Sequence, residues 1–160
     1  CLKENHMDLH FRPMRLHSRI EETPDTFTQN FVPLDGKPFV NRPGQFTIVK
    51  VGDTGVCRPY TVSSTHGISE FVTTTVCRVP GGCASNWITT VPVGSTVHLA
   101  EPMGDFTCDD DPMEKFLLMA SGSGITPILS MTRWLLVHKP RVDIEVIYTT
   151  KSPEHIVERE

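Results

Sequence analysis

Turn-forming residues divide the first two-thirds of the chain into segments short enough to favour strands. Glycine or proline marks turns at 24–25, 34–36, 42–44, 66–67, 80–82 and 93–94. Between them, apolar and polar residues alternate over 14–20, 26–32, 45–51, 59–64, 70–79 and 96–100. Alternation of period two is typical of strands with one buried face. The sequence therefore predicts a small closed β-barrel of six antiparallel strands, with one helix opening near Ser85.

A different pattern begins after residue 111. A continuous apolar run at 116–120 is followed by the turn Ser121-Gly122-Ser123-Gly124, a helical pattern over 126–138 and a β-branched run at 142–148. Strand, glycine turn, helix and strand in this order open a parallel α/β domain. The strands of such a domain are normally buried on both faces.

The change of pattern predicts two domains. Residues 12–110 form the barrel, and residues 111–160 form the start of a nucleotide-binding α/β domain with a parallel sheet. Two strands, one helix and a helical start at 152–160 do not complete a doubly wound sheet. We therefore expect 111–160 to be the N-terminal part of a larger domain.

Composition narrows the classes of function. The 160-residue chain is 38% hydrophobic, which is enough to bury a core, and its formal net charge is −4. Without a basic excess, the chain is not expected to bind nucleic acid. The longest apolar run is too short to cross a bilayer, and no signal-peptide pattern is found, so no membrane association is expected. The sequence predicts a soluble cytoplasmic protein.

Cysteines and histidines do not fall at the spacing of metal ligands. The cysteines form an odd set with no Cys-x-x-Cys pair: Cys1, Cys57, Cys77, Cys83 and Cys108. This pattern argues against a disulfide framework and against a zinc or iron–sulfur site in this chain. The seven histidines show no ligand spacing either. We predict reduced thiols and no metal site.

The octapeptide CRPYTVSS at 57–64 places a cation, an aromatic ring and several hydroxyls in one predicted strand. Arg58 offers a permanent charge to a phosphate, and Tyr60 offers a flat ring for stacking. Hydroxyls for a polar heterocycle follow at Thr61, Ser63 and Ser64. This combination favours a flavin nucleotide as the ligand, although Tyr60 by itself is equally well explained as a core ring.

The turn Gly81-Gly82-Cys83-Ala84-Ser85 is a second candidate site, because it leads into the predicted helix. The unpaired N–H groups and the dipole of a helix N-terminus attract a pyrophosphate, and small residues let it approach. A hairpin turn with Ser85 as helix N-cap is an equally good interpretation. Cys83 is interpreted as a small filler, since no resolving cysteine is nearby in the sequence.

A third candidate site is the strand-to-helix turn that contains Gly122, Gly124, Thr126 and Pro127. A glycine turn between a buried strand and a helix is where α/β domains bind nucleotides. The third glycine of the usual dinucleotide fingerprint is missing here. A tight turn with Pro127 near the helix start explains the same residues without a ligand.

Five segments stand in an order that resembles the ferredoxin-NADP reductase superfamily: RPGQF, CRPYTVSS, VPGGCASNWI, EPMGDF and LMASGSGITPILSM. Each segment alone is a weak signal, but five in order over 14–160 are a strong one. Within the superfamily, the segments GDFTCDD and SMTRWL resemble most the NADH-dependent reductases of the hybrid-cluster protein.

The resemblance implies a role for each candidate site. Arg58 would pair with a flavin phosphate, and Tyr60 would lie against the flavin. Thr61 would be the catalytic residue, because its hydroxyl would hydrogen-bond near flavin N5, the atom that receives hydride. Residues 82–85 would contact the flavin phosphates, and residues 122–127 would bind the nicotinamide nucleotide.

The implied activity is an NADH oxidoreductase that passes electrons through FAD to an iron–sulfur redox protein, such as the hybrid-cluster protein. NADH would stack on the flavin between the two domains. In reductases of this type an iron–sulfur cluster belongs to a C-terminal domain, which we expect beyond residue 160. FAD is favoured over FMN by the resemblance alone, and the choice of NADH over NADPH stays open.

Three alternatives remain at this point. The chain could serve as the reductase module of a flavohaem protein or of an oxygenase. It could belong to a flavin-carrying electron-transfer subunit that does not use NADH directly. A β-barrel interaction module without flavin is the third alternative, and a visible absorption spectrum distinguishes it from the others.

Overall fold

The computed structural model, which describes residues 9–158, has six strands and one α-helix up to residue 100, followed by two strands with one α-helix between them. The order of elements is β1 (Phe11–Thr23), β2 (Thr26–Pro33), β3 (Phe46–Lys50), β4 (Cys57–Thr61), β5 (Val72–Cys77), α1 (Cys83–Thr90), β6 (Thr96–Ala100), β7 (Lys115–Ser121), α2 (Ile125–His138) and β8 (Asp143–Thr149). Short 3-10 helices cover Gly122–Gly124 and Pro153–His155. Each predicted strand and both predicted helices correspond to an observed element.

The first six strands form one antiparallel sheet in the order β4-β3-β6-β1-β2-β5. The two edges of this sheet meet just after β4, where Val62 forms an antiparallel bridge with Thr74. There the backbone N–H of Ser63 donates to the carbonyl of Thr73 at 2.9 Å. The predicted six-stranded barrel is confirmed, and its edges are paired with each other.

The barrel interior is filled from alternate positions of its strands. The fully buried apolar side chains there include Met14, Leu16, Phe31, Val49, Val62, Val76, Val97 and Leu99. Helix α1 adds Ile88, which is also fully buried in this cluster. Burying an apolar side chain of this size stabilises a fold by about 1.5–3 kcal/mol. The cluster therefore fixes α1 on the barrel through its apolar face.

The second part of the chain is a parallel pair of strands, β7 and β8, with α2 packed on one face. Along β7, Phe116, Leu118 and Ala120 pack against the cluster under α2, whereas Leu117 and Met119 are 60% and 66% exposed. Strands of a parallel sheet are normally buried on both faces, but 111–160 is expected to be only the first part of such a domain. In the described chain α2 covers one face only, so burial alternates along β7.

The predicted helical start at 152–160 is found as the 3-10 helix Pro153–His155. Ile156 then returns to extended backbone, and Glu158 has a φ of +51°, which is incompatible with a continuing right-handed helix. Residues 159 and 160 lie outside the described residues.

Helix α2 is hydrogen-bonded to the segment that follows β4. The hydroxyl of Ser130 donates to the carbonyl of Ser64 at 2.9 Å, and the hydroxyl of Thr65 donates to the carbonyl of Ser130 at 3.0 Å. Arg133 Nη1 donates to the carbonyl of Ser63 at 2.8 Å. These bonds join the second part of the chain to the strand that carries Arg58 and Tyr60.

Gly44 allows close packing at the same junction. Its φ is +96°, and a Cβ added there would overlap the carbonyl oxygen of Phe106 and lie 2.5 Å from Met131 Cε. Two residues earlier, Arg42 forms two short bonds to Asp109, at 2.7 and 2.8 Å. The RPGQF segment is therefore a connector between the barrel and the residues that lead to β7.

Neither α1 nor α2 is long and apolar enough to span a membrane, and the described residues contain no other candidate helix.

Candidate functional site

Strand β4 and the beginning of α1 line one cleft of about 450 Å³. The residues around it are Arg58, Pro59, Tyr60, Cys77, Val79, Gly82, Cys83, Ala84 and Ser85. Two segments that the sequence singled out separately are thus brought together, although more than 20 positions separate Arg58 from Gly82 in the chain. The predicted phosphate and ring contacts share this cleft.

Arg58 presents its guanidinium at the mouth of the cleft. The side chain is exposed, and Nη1 donates to the neighbouring carbonyl of Cys57 at 2.7 Å. No carboxylate within residues 9–158 pairs with it. A fixed cation without an acidic partner fits an anionic ligand such as a phosphate.

Tyr60 and Thr61 stand at the inner end of β4. The Tyr60 ring packs against the barrel core, and burial raises the pKa of its hydroxyl above the ordinary value, opposed by the charge of Arg58. Its hydroxyl therefore stays protonated at neutral pH. Thr61 pairs with Phe46 in the ladder and is half-buried. None of the described residues hydrogen-bonds to the Thr61 hydroxyl, which leaves it available to a ligand.

The N-terminus of α1 is built from glycine. Gly81 has a φ of +70°, and a Cβ on Gly82 would lie 2.7 Å from Ser85 Oγ and 3.1 Å from the carbonyl of Val79. Gly82 is the N-cap, and no side chain caps the helix. The interpretation of Ser85 as N-cap is therefore wrong: its hydroxyl accepts from Val79 N at 3.1 Å instead. The first-turn N–H groups remain open to an anion.

Ser63 and Ser64 are placed away from this cleft. They are 0% and 4% exposed, and their hydroxyls bond to Thr73, at its carbonyl (3.2 Å) and its N–H (2.9 Å) respectively. Their carbonyls hold α2, through donors on Ser130 and Arg133 that the sequence analysis missed. The only sequence signal for this contact is polar residues within an otherwise apolar helix. A cofactor role for Ser63 and Ser64 stays a prediction.

The turn before α2 has the strand-to-helix geometry that the sequence predicted. Gly122 has a φ of +52° and ends β7, and Gly124 is the N-cap of α2, so that Pro127 lies in the first turn. Thr126 is buried, and its hydroxyl donates to the carbonyl of Ser123 at 3.0 Å. The nucleotide role of these residues is not tested by this geometry and stays a prediction.

The two candidate sites adjoin at Cys77. Gly122 and Ser123 line a narrow cavity of about 60 Å³ together with Cys77, Thr26 and Lys151. Cys77 also lines the larger cleft beside Arg58. The turn before α2 therefore lies next to the cleft of β4 and α1.

A further cavity and the potential metal ligands do not add to this site. A cavity of about 440 Å³ lies between the loops 34–41 and 65–71, but it contains neither Arg58 nor the start of α1. Within residues 9–158, no group of three His, Cys, Asp or Glu side chains is placed to hold a metal ion. The cysteines in this range are free thiols, and Cys1 lies outside it.

A flavin nucleotide fits the cleft of β4 and α1 by three independent features. The guanidinium of Arg58 lacks an acidic partner, the backbone at Gly82 is too close to Ser85 for a side chain, and the α1 N-terminus carries neither cap nor acidic residue. The first and third features attract an anion, and the second explains why residue 82 is a glycine at the start of the helix.

Comparison with known proteins supports FAD as the ligand of the barrel. Residues 13–108 match the family described as the oxidoreductase FAD-binding domain. The chain is 42% identical over 146 residues to the NADH oxidoreductase HCR of Escherichia coli (strain K12), covering 90% of this chain and 45% of that protein. It is 36% identical over 141 residues to the glycine betaine monooxygenase reductase subunit of Chromohalobacter salexigens, covering 86% and 38%.

Among solved structures, phthalate dioxygenase reductase superposes with a TM-score of 0.81 and 26% identity, covering 92% of this chain and 46% of that one. The chain thus spans less than half the length of these relatives. The family match covers more than half of the chain and coincides with the barrel. This chain belongs to the oxidoreductase FAD-binding domain family, with the ferredoxin-NADP-reductase-like fold.

Proposed function

We propose that this chain is the flavin-binding part of an NADH oxidoreductase that passes electrons from NADH through FAD to an iron–sulfur partner. The observation that carries the proposal is the shared cleft of Arg58, Tyr60 and the open N-terminus of α1. The similarity to an NADH oxidoreductase and to an oxygenase reductase subunit supports the same class of reaction.

We assign a separate role in FAD binding to each of these residues. Arg58 and the N–H groups of residues 83–85 would bind the phosphates. Tyr60 would hold the flavin ring, and the unpaired hydroxyl of Thr61 would be its hydrogen-bond donor near N5. Flavin, when bound, would supply the redox chemistry, since it can take two electrons as hydride from a nicotinamide and release them singly. The protein contributes binding and alignment.

The nicotinamide nucleotide is assigned to Gly122, Gly124, Thr126 and Pro127. Support comes from the position of this turn beside Cys77, a residue that also lines the flavin cleft. We divide the chain at residue 111 into the barrel of 12–110 and the first part of a nicotinamide-binding domain over 111–160. NADH is preferred to NADPH on the strength of the relative at 42% identity. A cytoplasmic location stays a prediction from the sequence.

The electron acceptor is proposed as an iron–sulfur redox protein, with the hybrid-cluster protein as the first candidate on the basis of the sequence resemblance. An oxygenase component is the second candidate, because a glycine betaine monooxygenase reductase subunit is 36% identical to the chain. The two are separated by mixing the NADH-reduced full-length protein with each acceptor and measuring which one is reduced faster.

Flavin binding is tested by titrating the 160-residue chain with FAD and following the visible absorption spectrum. Arg58→Ala removes a charge-assisted bond worth about 1.5–3 kcal/mol, so the dissociation constant for FAD is expected to rise about 10- to 150-fold. Arg141→Ala is the control, because Arg141 is exposed and does not line the cleft. Equal affinity in wild type and Arg58→Ala would refute the assignment of Arg58.

A further inference from the structure

The two ends of α1 have different electrostatic surroundings. At the N-terminus there is no acidic residue in the first turn and no side-chain cap. At the C-terminus the helix itself supplies no basic residue, and its last backbone bond runs from Val91 N to the carbonyl of Trp87 at 2.8 Å. Helix dipoles leave partial positive charge at the first end and partial negative charge at the second.

Arg19 of β1 reaches the C-terminal end of α1. Its Nη2 donates to the carbonyl of Ile88 at 3.2 Å and to the carbonyl of Val91 at 2.5 Å. These partners are 69 and 72 positions away in the sequence. Ile88 is in the last turn, so no backbone N–H of the helix donates to its carbonyl.

Arg78, which follows β5, reaches the same end. Its Nε donates to Thr89 Oγ1 at 3.0 Å and its Nη2 to the carbonyl of Thr89 at 3.4 Å. The guanidinium also lies 4.4 Å above the ring of Phe27, which holds it in place. Two cations, one in β1 and one directly after β5, thus converge on the last turn of one short helix.

This convergence has an electrostatic cost. Burial, and then the nearby charge of Arg78, lowers the pKa of Arg19 below its ordinary value. Neither arginine pairs with a carboxylate within the described part of the chain. The acceptors that compensate both charges are the terminal carbonyls and one hydroxyl of α1.

We propose that Arg19 and Arg78 are positioning residues for the flavin phosphates, acting through α1 from its far end; this rests on the proposed flavin site. By fixing the last turn, they set where Gly82 and the first-turn N–H groups face the cleft. By offsetting the negative end of the dipole, they leave its positive end to act on the bound anion. Neither residue lines the cleft.

The test compares three flavins in the full-length protein. Dissociation constants for FAD, FMN and riboflavin are measured by fluorescence for wild type, Arg19→Leu and Arg78→Leu. Because riboflavin has no phosphate, we expect each variant to weaken FAD and FMN by about 3- to 30-fold and to leave riboflavin unchanged. Arg19→Lys and Arg78→Lys, which keep the cation, should recover part of the loss.

Arg15→Leu is the matched control, because Arg15 is an exposed residue on the same strand as Arg19 and does not contact α1. An equal loss of affinity for riboflavin and FAD would show that the arginines only stabilise the fold. If the leucine variants unfold, the lysine variants, which perturb packing least, provide the same comparison. Unchanged FAD binding would also overturn the inference. Wild type failing to bind FAD would instead overturn the flavin site itself.

Discussion

The barrel and the two-stranded sheet bury their apolar side chains in different ways. In the barrel, the edges pair through Val62 and Thr74, and the side chains of the interior are fully buried. In the later part, β7 and β8 are covered by α2 on one face, and Met119 on the other face is 66% exposed. The barrel therefore completes its own core, whereas the sheet does not.

This difference indicates which part of the chain controls each ligand. Every residue assigned to the flavin phosphates belongs to a strand or helix fixed by the barrel core. The turn at 122–127 depends on β7 and α2, which are held to the barrel through Ser130 and Arg133. We expect changes in the barrel to alter flavin affinity, and changes at the junction to alter the placement of the turn 122–127, which is proposed to bind the nicotinamide nucleotide.

The largest effect is expected for Gly44→Ala, which breaks the junction itself. The new Cβ would overlap the carbonyl of Phe106 and crowd Met131 at a φ of +96°. Overpacking and backbone strain together should lower the free energy of unfolding by about 3 kcal/mol or more, measured by urea denaturation. Gly94→Ala is the control, because Gly94 has a φ of +93° with no atom within 4 Å of the added Cβ. Similar losses in both variants would contradict the crowding argument.

A smaller effect is expected for Ser130→Ala. The variant removes a buried donor to the carbonyl of Ser64 and should cost about 1–2 kcal/mol of stability, while FAD affinity stays the same. Thr132→Val on the same helix is the control: the Thr132 hydroxyl is buried without a partner in the described chain, so its removal should be neutral or stabilising. A parallel drop in FAD affinity in Ser130→Ala would show that the two parts are not separable.

Thr61→Val tests whether a barrel hydroxyl contributes to flavin reduction without contributing to stability. The isosteric change removes one hydroxyl that has no bond within residues 9–158, so stability and flavin content should be retained. Loss of a neutral hydrogen bond of about 0.5–1.5 kcal/mol should slow flavin reduction by NADH about 2- to 12-fold in the full-length protein. Stopped-flow measurement of flavin bleaching checks this. Thr96→Val, at an exposed position of β6, should leave the rate unchanged.

The smallest change in stability is expected for the double substitution Leu117→Gln and Met119→Gln. Both side chains lie on the uncovered face of β7, 60% and 66% exposed. Stability of the 160-residue chain should change by no more than about 0.5 kcal/mol, while binding of a hydrophobic dye and self-association both fall. Unaltered dye binding would mean that this face is covered in solution.

Local sequence signals predicted most of the fold. The strand β6 was predicted over the same residues that the structure shows, Thr96–Ala100, because alternation and the flanking turns act locally. For β4 the prediction ran to residue 64, whereas the strand ends at Thr61. The chain turns into the barrel closure at Val62, and that bridge to Thr74 depends on a partner far along the chain.

Residue chemistry alone indicated which side chains to consider for a site, and their role in binding stays a prediction. The structure places Arg58 and Tyr60 in one cleft with the glycine turn before α1, two segments that the sequence had indicated separately. The hydroxyls of Ser63 and Ser64 resemble Thr61 in sequence, but side-chain direction placed them inside the barrel. The sequence did not indicate a role for Arg19, because its partners at the end of α1 are about 70 positions away.

On the barrel side, most of the hydrogen bonds between the barrel and α2 use backbone atoms. Ser63 and Ser64 contribute only their carbonyl oxygens, which every amino acid possesses, while the donor side chains come from Ser130 and Arg133. For protein engineering this asymmetry is useful. A module taken from another protein would need its own two donors in place of Ser130 and Arg133, while the recipient barrel would have to keep Gly44 and the hydroxyl of Thr65.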